Sequence, residues 1–515
     1  MMLKDRLFTV LALFFAAGIA VGFVASPGGK AVCFFTFALL IAVSAGLLRL
    51  SKKRLPDWKN AAVYALIASI GLTVGTGWAH LRAQPYEEFS RFSGREDTVA
   101  GTVTDSGSSE TSSYVIVKAE RSVNALPSGT KIRLYLDTST RLLCGDNVTV
   151  KLTYGNLCGR DLRAEGIALN AHGTIVAREY ADDPIGFLRR KGVSYCEKLY
   201  APFGQQGLTE ALLFREKSAL SAEVSAVYRN GGLSHLLAIS GLHLVVLMTI
   251  LRRLLSRVGV PAYAADIVCI TASVVYAILV GASPSILRAV FMMACVAVGT
   301  RAFKSIDGIS SLSAALIVLL ILNPYALFSV GLQLSFLSCL GILLLEPYAE
   351  LLGEQIVGET VGRKKKLRKL LAGVAENFFV SAGAVLFTFP VVAFTFSEVS
   401  WIAPLLNLLV VPLFPYVLTL VLLSALICPF WTEAASVLAF LPGTALRGLE
   451  LALTALRESG IGSLTLPDGT AWLPAVFVCA ALFGFAFLKQ KRLEVVVTSS
   501  ALFFVSTVVL AFLPG

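Results

Sequence analysis

The sequence predicts a polytopic α-helical membrane protein carrying a small all-β, OB-like domain outside the membrane, and three observations carry that prediction. Of 515 residues, 56% are hydrophobic and 15% are charged, with a mean hydropathy of +0.76, whereas a soluble globular protein carries roughly 25% charged residues. Apolar runs of membrane-crossing length recur along the chain. Each crossing of a hydrocarbon core about 30 Å thick takes about 20 residues, so about 11 to 13 spans are expected. One polar block, residues 80–184, interrupts the series with strand-like alternation of apolar and polar residues. This composition excludes a water-soluble enzyme. The net charge of +11 is compatible with a nucleic-acid partner, but in a membrane protein it first marks cytoplasmic anchors.

Three apolar stretches open the chain, near residues 7–25, 31–48 and 60–79. The first leads through Ser26-Pro27-Gly28-Gly29 straight into the second, without the Ala-x-Ala type of site a signal peptidase needs, and reads as a hairpin. Further runs lie near 232–251, 262–281, 286–300, 309–322, 327–345, 373–396, 401–429, 472–488 and 494–512. Basic clusters then set the orientation, because translocating Lys and Arg is costly. Lys4 and Arg6, Arg49 to Lys59, Arg252 to Arg257, Arg301 with Lys304, Arg363 to Lys369, and Lys489 to Arg492 all fall where alternating spans return to one face. The short loops opposite hold only Lys30. The N-terminus is therefore expected in the cytoplasm, with residues 80–230 and the C-terminus outside. From Ser397 to Trp472 the chain must cross an even number of times, yet Pro404, Pro412, Pro415 and Pro429 interrupt the apolar runs. Two crossings and a re-entrant hairpin both remain open there.

Within the outer block, alternating runs occur at Thr98 to Val103, Tyr114 to Val117, Lys131 to Leu136 and Asn147 to Leu152, separated by turns such as Pro127-Ser128-Gly129 and Cys144-Gly145-Asp146. Strands of this length and spacing predict a small antiparallel barrel of OB type. Residues 80–180 hold 12 Lys+Arg and 12 Asp+Glu, so the block has no diffuse electrostatic grip on DNA, although a local patch remains compatible. Residues 185–230 mix apolar and basic side chains. They suit amphipathic helices at the outer interface, or ordinary helices packed on the barrel. The expected organisation is 1–79 membrane helices, 80–184 β domain, 185–230 interfacial helices and 231–515 membrane domain.

Candidate chemistry concentrates in a few polar intruders. Two of the four histidines fall in Gly231-Gly232-Leu233-Ser234-His235-Leu236-Leu237-Ala238-Ile239-Ser240-Gly241-Leu242-His243. On one continuous helix Ser240 and His243 share a face, while His235 and His243 stand about 80° apart, with Gly241 able to loosen the helix between them. A metal pair prefers a spacing of three or four, so no metal site is assigned. A Ser-His nucleophile lacks an Asp or Glu within the segment to orient the imidazole. A structural or pore-lining role, with small residues allowing close helix contact, is the remaining reading. Arg288, in Gly281-Ala282-Ser283-Pro284-Ser285-Ile286-Leu287-Arg288-Ala289, must either snorkel to the interface or line a polar path. Asp307, Asn323, Gln333, Ser335, Glu398 and Asn407 are further polar intruders, read first as helix caps or interhelical hydrogen bonds. Cys144 and Cys158 lie in the outer block, where oxidising conditions allow a disulfide; the cysteines in apolar runs read as packing residues. The chain has no Gly-x-x-x-x-Gly-Lys-Ser/Thr phosphate loop, no His-Glu-x-x-His and no Gly-x-Ser-Gly. No cofactor is expected.

The segment Gly232 to His243 resembles the signature of the ComEC family of competence proteins, inner-membrane channels for transforming DNA. Ser283-Pro284-Ser285-Ile286-Leu287-Arg288-Ala289 resembles the family's next motif. Asn323-Pro324-Tyr325-Ala326-Leu327-Phe328 with Gly331-Leu332-Gln333-Leu334-Ser335-Phe336 resembles the one after, and Trp401 to Leu413 the later Pro-x-x-Asn block. The hairpin and OB-like outer domain match the family's usual N-terminal arrangement. The resemblance implies passage of single-stranded DNA from outside across the cytoplasmic membrane during natural transformation. It also implies a periplasmic or surface DNA receptor and a cytosolic helicase-like ATPase as motor; for such a channel His235, Ser240, His243 and Arg288, polar residues at the starts of spans, with Gln333 and Asn407, are the candidates for the pore or its gate. Family members often carry a metallo-β-lactamase-like domain after the last span, with a His-x-His-x-Asp-His cluster; here no histidine follows His243. A nuclease, where one acts, is therefore expected on a separate protein, or else this chain is truncated, and this chain as it stands is expected not to be an enzyme. Two alternatives stand beside the channel: an intramembrane hydrolase using Ser240 and His243, and a small-solute transporter, which internal inverted repeats would favour.

Overall fold

The computed structural model of the protein describes residues 7–24, 58–108, 113–136, 142–179, 184–237, 239, 241–281, 284–301, 308–357, 363–396, 398–400, 402–460 and 464–465. The apolar runs expected at 31–48, 472–488 and 494–512 lie outside the described residues, as do Ser240, Cys33 and Cys479.

Two helices open the fold, α1 (Leu7–Val24) and α2 (Trp58–Glu88). They meet through small residues four apart, Gly18 and Gly22 on one, Gly71 and Gly75 on the other. A Cβ at Gly18 would come 2.3 Å from the Leu72 carbonyl oxygen, and one at Gly75 2.3 Å from that of Phe15. Such close backbone approach is what small-xxx-small spacing permits in a membrane, where dispersion rather than hydrophobic burial holds helices together. Helix α2 does not stop at the expected end of its apolar run. It continues through Pro85 to Glu88, so the boundary expected between 79 and 80 falls inside a helix.

A single turn, Phe89–Phe92, leads into five strands: β1 (Glu96–Ser108), β2 (Ser113–Ser122), β3 (Lys131–Leu136), β4 (Asn147–Leu157) and, after the short helix α3 (Arg160–Ala164), β5 (Ile167–Glu179). They close into a barrel in the order β1-β2-β3-β5-β4. The four alternating runs read from the sequence fall in β1 to β4. The fifth strand was not among them, because its start is buried on both faces, Ile167, Ala168 and Leu169 in succession, and hides the two-residue period. It pairs parallel to β3 and antiparallel to β4, and so completes the closure that removes both sheet edges. Val99, Val103, Ile132, Leu134, Val150 and Leu169 fill the interior. One carboxylate ties the entry: Asp97 accepts from Ser122 Oγ at 2.5 Å, Tyr154 Oη at 2.7 Å, and the backbone N–H groups of Thr98, Val123 and Asn124 at 2.7, 3.1 and 3.2 Å. Burial resists its ionisation, but these donors outweigh burial and hold its carboxyl below the ordinary carboxylate range.

Three helices follow, α4 (Pro184–Tyr200), α5 (Gln206–Phe214) and α6 (Ala222–Asn230). Next come α7 (Ser234–Leu237), α8 (Gly241–Arg257), α9 (Ala262–Val280), α10 (Pro284–Arg301) and α11 (Gly308–Leu322). The single turn Pro324–Phe328 precedes α12 (Val330–Val357) and α13 (Arg363–Phe396). The described chain ends with β6 (Glu398–Val399), α14 (Ala403–Ile427), α15 (Thr432–Glu458) and β7 (Leu464–Thr465). Among the described residues, six segments are long and apolar enough to cross a bilayer: Val63–Phe92, Ala262–Val280, Val330–Leu351, Arg368–Phe396, Ala403–Ile427 and Thr432–Glu458. Three shorter apolar helices accompany them, Phe8–Val24, Ser285–Val298 and Gly308–Leu322. The protein is thus a multi-pass membrane protein with a five-stranded barrel.

The amphipathic helices α4 to α6 turn their buried faces not to the barrel but to α14 and α15. Cys196, Leu199, Tyr200, Leu212 and Tyr228 share one core with Phe414, Leu418, Ala435 and Leu446, and Tyr200 Oη bonds Ser424 Oγ at 2.8 Å. Of the four prolines expected to interrupt 401–429, Pro404 lies in the first turn of α14 and Pro429 in the turn after its end, whereas Pro412 and Pro415 do not break it. Helix α14 passes through Pro412 and Pro415, and Thr419 Oγ1 donates at 2.6 Å to the Pro415 carbonyl. Strand β6 pairs with β7, which brings the two ends of the α14 and α15 hairpin together.

Candidate functional site

The segment expected as one helix is two. Helix α7 ends at Leu237 and α8 begins at Gly241, so the angular comparison of His235 with His243 on a single helix does not hold. Gly232 turns the chain into α7 with φ +72°, and a Cβ there would meet the Ala403 Cβ at 2.4 Å; only glycine allows both the left-handed backbone and that contact with the start of α14. At the next joint a Cβ on Gly241 would lie 3.3 Å from both Ala289 Cβ and Arg288 Nη2. Two glycines thereby bring the entry to α7 against α14 and the start of α8 against α10.

His243, 1% exposed, sets its ring edge-on to Phe414 of α14 at 5.6 Å. His235, on α7, is exposed. Arg288, 8% exposed, snorkels nowhere. Its guanidinium lies 5.9 Å from the Phe336 ring centre, reaches Met292 Sδ at 3.9 Å and touches Cys339 Sγ. Its Nε has no partner, and no carboxylate pairs with it, among the described residues. Soft sulfur and a ring face compensate a buried cation poorly.

The other predicted residues divide. Asn407, 9% exposed, faces the interior from α14 with its Oδ1 unpartnered among the described residues. Gln333 also braces: its Nε2 donates at 2.9 Å to the Leu327 carbonyl and supports the Pro324–Phe328 turn, while its Oε1, like Asn407 Oδ1, has no partner among the described residues. The expected disulfide is not formed. Cys144 and Cys158 are both free and buried; Cys144 Sγ bonds the Thr104 carbonyl at 3.2 Å and Cys158 Sγ bonds Asn170 Oδ1 at 3.4 Å. Each thiol is satisfied in its own pocket, and burial pushes both up, that of Cys158 to about 12.

Two struts join the barrel to the helices, and neither was read from the sequence. In the first, Asn323 caps its turn by accepting from the Tyr325 N–H at 3.0 Å and donates from Nδ2 to the Ala164 carbonyl, the end of α3, at 2.8 Å. The Tyr325 ring centre lies 4.3 Å from Phe23 and 5.0 Å from Tyr86. Arg163 covers Tyr86 and Tyr325 at 5.5 and 5.8 Å, while Arg160 lies 5.6 Å from Phe328 and donates to the Phe23 carbonyl at 3.1 Å. In the second, Arg215 (φ +59°) pairs with Asp105 of β1 at 2.8 Å and reaches the Gly281 carbonyl at 3.4 Å. Beside it the fully buried Glu216 accepts from Ser106 Oγ at 2.8 Å and the Cys144 N–H at 3.3 Å. The available signal was the charged triplet Arg215-Glu216-Lys217 closing the apolar run from Ala211 to Phe214.

Comparison with known proteins adds the following. A family model described as "Competence protein" matches residues 212–491. The chain is 30% identical over 229 residues to ComE operon protein 3 of Bacillus subtilis (strain 168), an alignment covering 44% of this chain and 27% of that protein. It is 28% identical over 284 residues to Competence protein ComA of Neisseria gonorrhoeae, covering 54% of this chain and 37% of that one. The match thus spans well under half the length of either curated relative. No solved structure matches the chain.

Proposed function

The chain belongs to the competence-protein family, and on that premise we propose that it forms the route by which single-stranded DNA crosses the cytoplasmic membrane inward during natural transformation. The observation that carries this reading is Arg288: a buried cation in a membrane bundle, short of counter-charge among the described residues, stands where a passing phosphate would supply it. A polyanion cannot cross hydrocarbon, so the path must be polar and lined by protein. Arg288, His243, His235 and Asn407 mark that path, with Ser240 between the two histidines. Gln333 holds its wall. The N-terminus lies in the cytoplasm, and the barrel, residues 185–230 and the C-terminus lie outside, as the basic clusters support. The barrel is OB-type, supported by its five strands and closed order. The working units are 1–79, 80–184, 185–230 and 231–515, with the helix through Glu88 bridging the first two. A DNA receptor outside and a helicase-like ATPase inside complete the proposal, with a nuclease as a further partner. The comparisons favour neither the Ser240 and His243 hydrolase nor the small-solute transporter.

The test is import of labelled DNA into a nuclease-protected compartment at matched protein levels. Arg288→Ala is expected to lose import while surface binding persists, and Arg288→Lys to keep part of it, a point charge replacing a bidentate donor. Undiminished import by Arg288→Ala overturns the assignment.

A further inference from the structure

Helices α4 and α5 lie side by side, joined through the turn Ala201–Phe203. One end of the pair meets the barrel. A Cβ on Gly145, in the turn before β4, would come 3.3 Å from the Gly186 Cα, Arg189 donates from Nη2 to the Phe214 carbonyl at 2.9 Å, and a Cβ on Gly192 would strike the Phe214 ring. The neighbouring Leu213 carbonyl accepts from Tyr276 Oη at 3.4 Å, near the end of α9 that Arg215 ties to β1. The other end of the pair reaches α14 and α15. Tyr200 Oη bonds Ser424 Oγ at 2.8 Å, the Phe203 ring lies 6.0 Å from that of Phe440, and Gln205 Nε2 donates to Glu450. Two helices give the depth of that end. Phe414 meets His243 where α8 begins beside the start of α10, close to the same end of α9. At 1.5 Å per residue, Phe414 to Ser424 is about 15 Å along α14, and Arg189 to Tyr200 is about 16 Å along α4. Such a depth is the middle of a hydrocarbon layer about 30 Å thick, and α14 is long and apolar enough to cross one.

The apolar face of α4 is covered, because Cys196, Leu199 and Tyr200 share a core with Phe414 and Leu418. It is therefore not free to lie on lipid headgroups, as an interfacial helix requires. Helix α5 is buried from Gly207 to Leu213. What α4 leaves exposed is apolar at the barrel end, Ile185, Phe187 and Leu188, and polar further along, where Lys191, Ser194 and Lys198 share one helical face. Lipid demands the reverse order, since ionised groups are costly in its interior and tolerated where they line water. Glu197, exposed beside Lys198, is too short to snorkel as a lysine does.

We propose that α4 and α5 form a re-entrant hairpin that dips from the barrel side to the middle of the bilayer and returns, with the Lys191, Ser194 and Lys198 face of α4 as one wall of a water-filled vestibule that admits anions. Both ends of the hairpin stay on the barrel side, so the segment enters the bilayer without crossing it. The proposal goes beyond the DNA-uptake reading and holds whatever the vestibule passes.

The test uses the full chain in phosphatidylcholine nanodiscs, with one cysteine added at a time at an exposed position; the described native cysteines are buried or half-buried and set the background. Water is read from the rate of reaction with a methanethiosulfonate carrying a sulfonate, compared with one carrying a trimethylammonium. Ser194→Cys and Lys198→Cys are expected to react about tenfold or more faster than Val275→Cys, on the exposed apolar face of α9, because a thiol in hydrocarbon does not ionise. At Ser194→Cys the sulfonate reagent is expected to be the faster of the two, and to lose that lead when Lys191 and Lys198 are both replaced by glutamine. Depth is read from a bimane on Leu441→Cys, exposed on α15 beside the Phe440 that meets Phe203, quenched by nitroxide lipids labelled at the headgroup or near the chain ends. Chain-end lipids are expected to quench it more strongly, and headgroup lipids to quench a bimane on Leu188→Cys more strongly. Ser194→Cys and Lys198→Cys reacting as slowly as Val275→Cys overturn the vestibule, and equal rates for the two reagents overturn its preference for anions. Stronger headgroup quenching at Leu441→Cys overturns the re-entrant depth, since α4 and α5 then lie at the surface.

Discussion

In the barrel, a buried charge is surrounded by donors: Asp97, 4% exposed, collects five hydrogen bonds. In the helical bundle, Arg288 is buried almost as deeply at 8%, yet it meets two sulfurs and a ring. Both burials carry a desolvation cost. The barrel offsets it permanently and uses the charge as a lock on its entry strand. The bundle leaves it largely open, along with Asn407 Oδ1 and Ser311 Oγ, which have no partner among the described residues. The difference separates a polar group that serves the fold from one positioned for something that arrives later.

The largest effect should come from the lock. Asp97→Ala strands five donors and is expected to cost the barrel about 3 to 5 kcal/mol, seen as early proteolysis of β1 to β5 with the helices intact. The same lock titrates. Its folded carboxyl lies below the unfolded value of about 3.9, so its contribution is complete above that value and is lost as pH falls through the lowered one. Barrel cleavage should therefore rise only in strong acid, and Asp97→Asn should remove that dependence. Arg288→Ala provides the contrast. Import should fall about tenfold to a hundredfold, matching one charge-assisted contact, while thermal unfolding of the helices stays unchanged or shifts upward. A clear drop in melting temperature would make Arg288 a second lock and erase the contrast. A smaller change is expected at the first strut, where Asn323→Ala loses a cap and a bond to α3, about 1 to 2 kcal/mol. Hydrogen exchange should rise in Arg160–Ala164 and Pro324–Phe328 while β1 to β5 remain protected. Smallest is Arg252→Gln. Its 2.7 Å pair with Asp266 holds an arginine side chain 58% exposed, worth about 0.5 kcal/mol, and neither melting nor import should move beyond that.

Much of this was legible in the sequence. Apolar run length located the helices, because every backbone polar group in lipid must be satisfied inside its own segment, and α9, α11 and α13 fall on predicted runs. Period-two alternation located β1 to β4. The fifth strand escaped because burial on both faces erases that period. The break between α7 and α8 escaped as well, since Gly241 signalled a loosened helix but not its replacement by two. Among the candidate site residues, Arg288 was recognisable as a cation inside an apolar run. Gln333 looked equivalent to Asn407, and only the position of the Leu327 carbonyl makes it a brace as well.

By itself, the sequence determined that the chain resides in a membrane, which stretches form its apolar helices and which residues are costly to bury, because these follow from local composition against a hydrocarbon layer about 30 Å thick. Tertiary structure alone decided which costs are offset. Asp97 and Arg288 differ in their neighbours rather than in their own chemistry. Those neighbours come from distant parts of the chain, Ser122 and Tyr154 for one, Phe336 and Cys339 for the other, and chain closure at such separations leaves no local pattern to read.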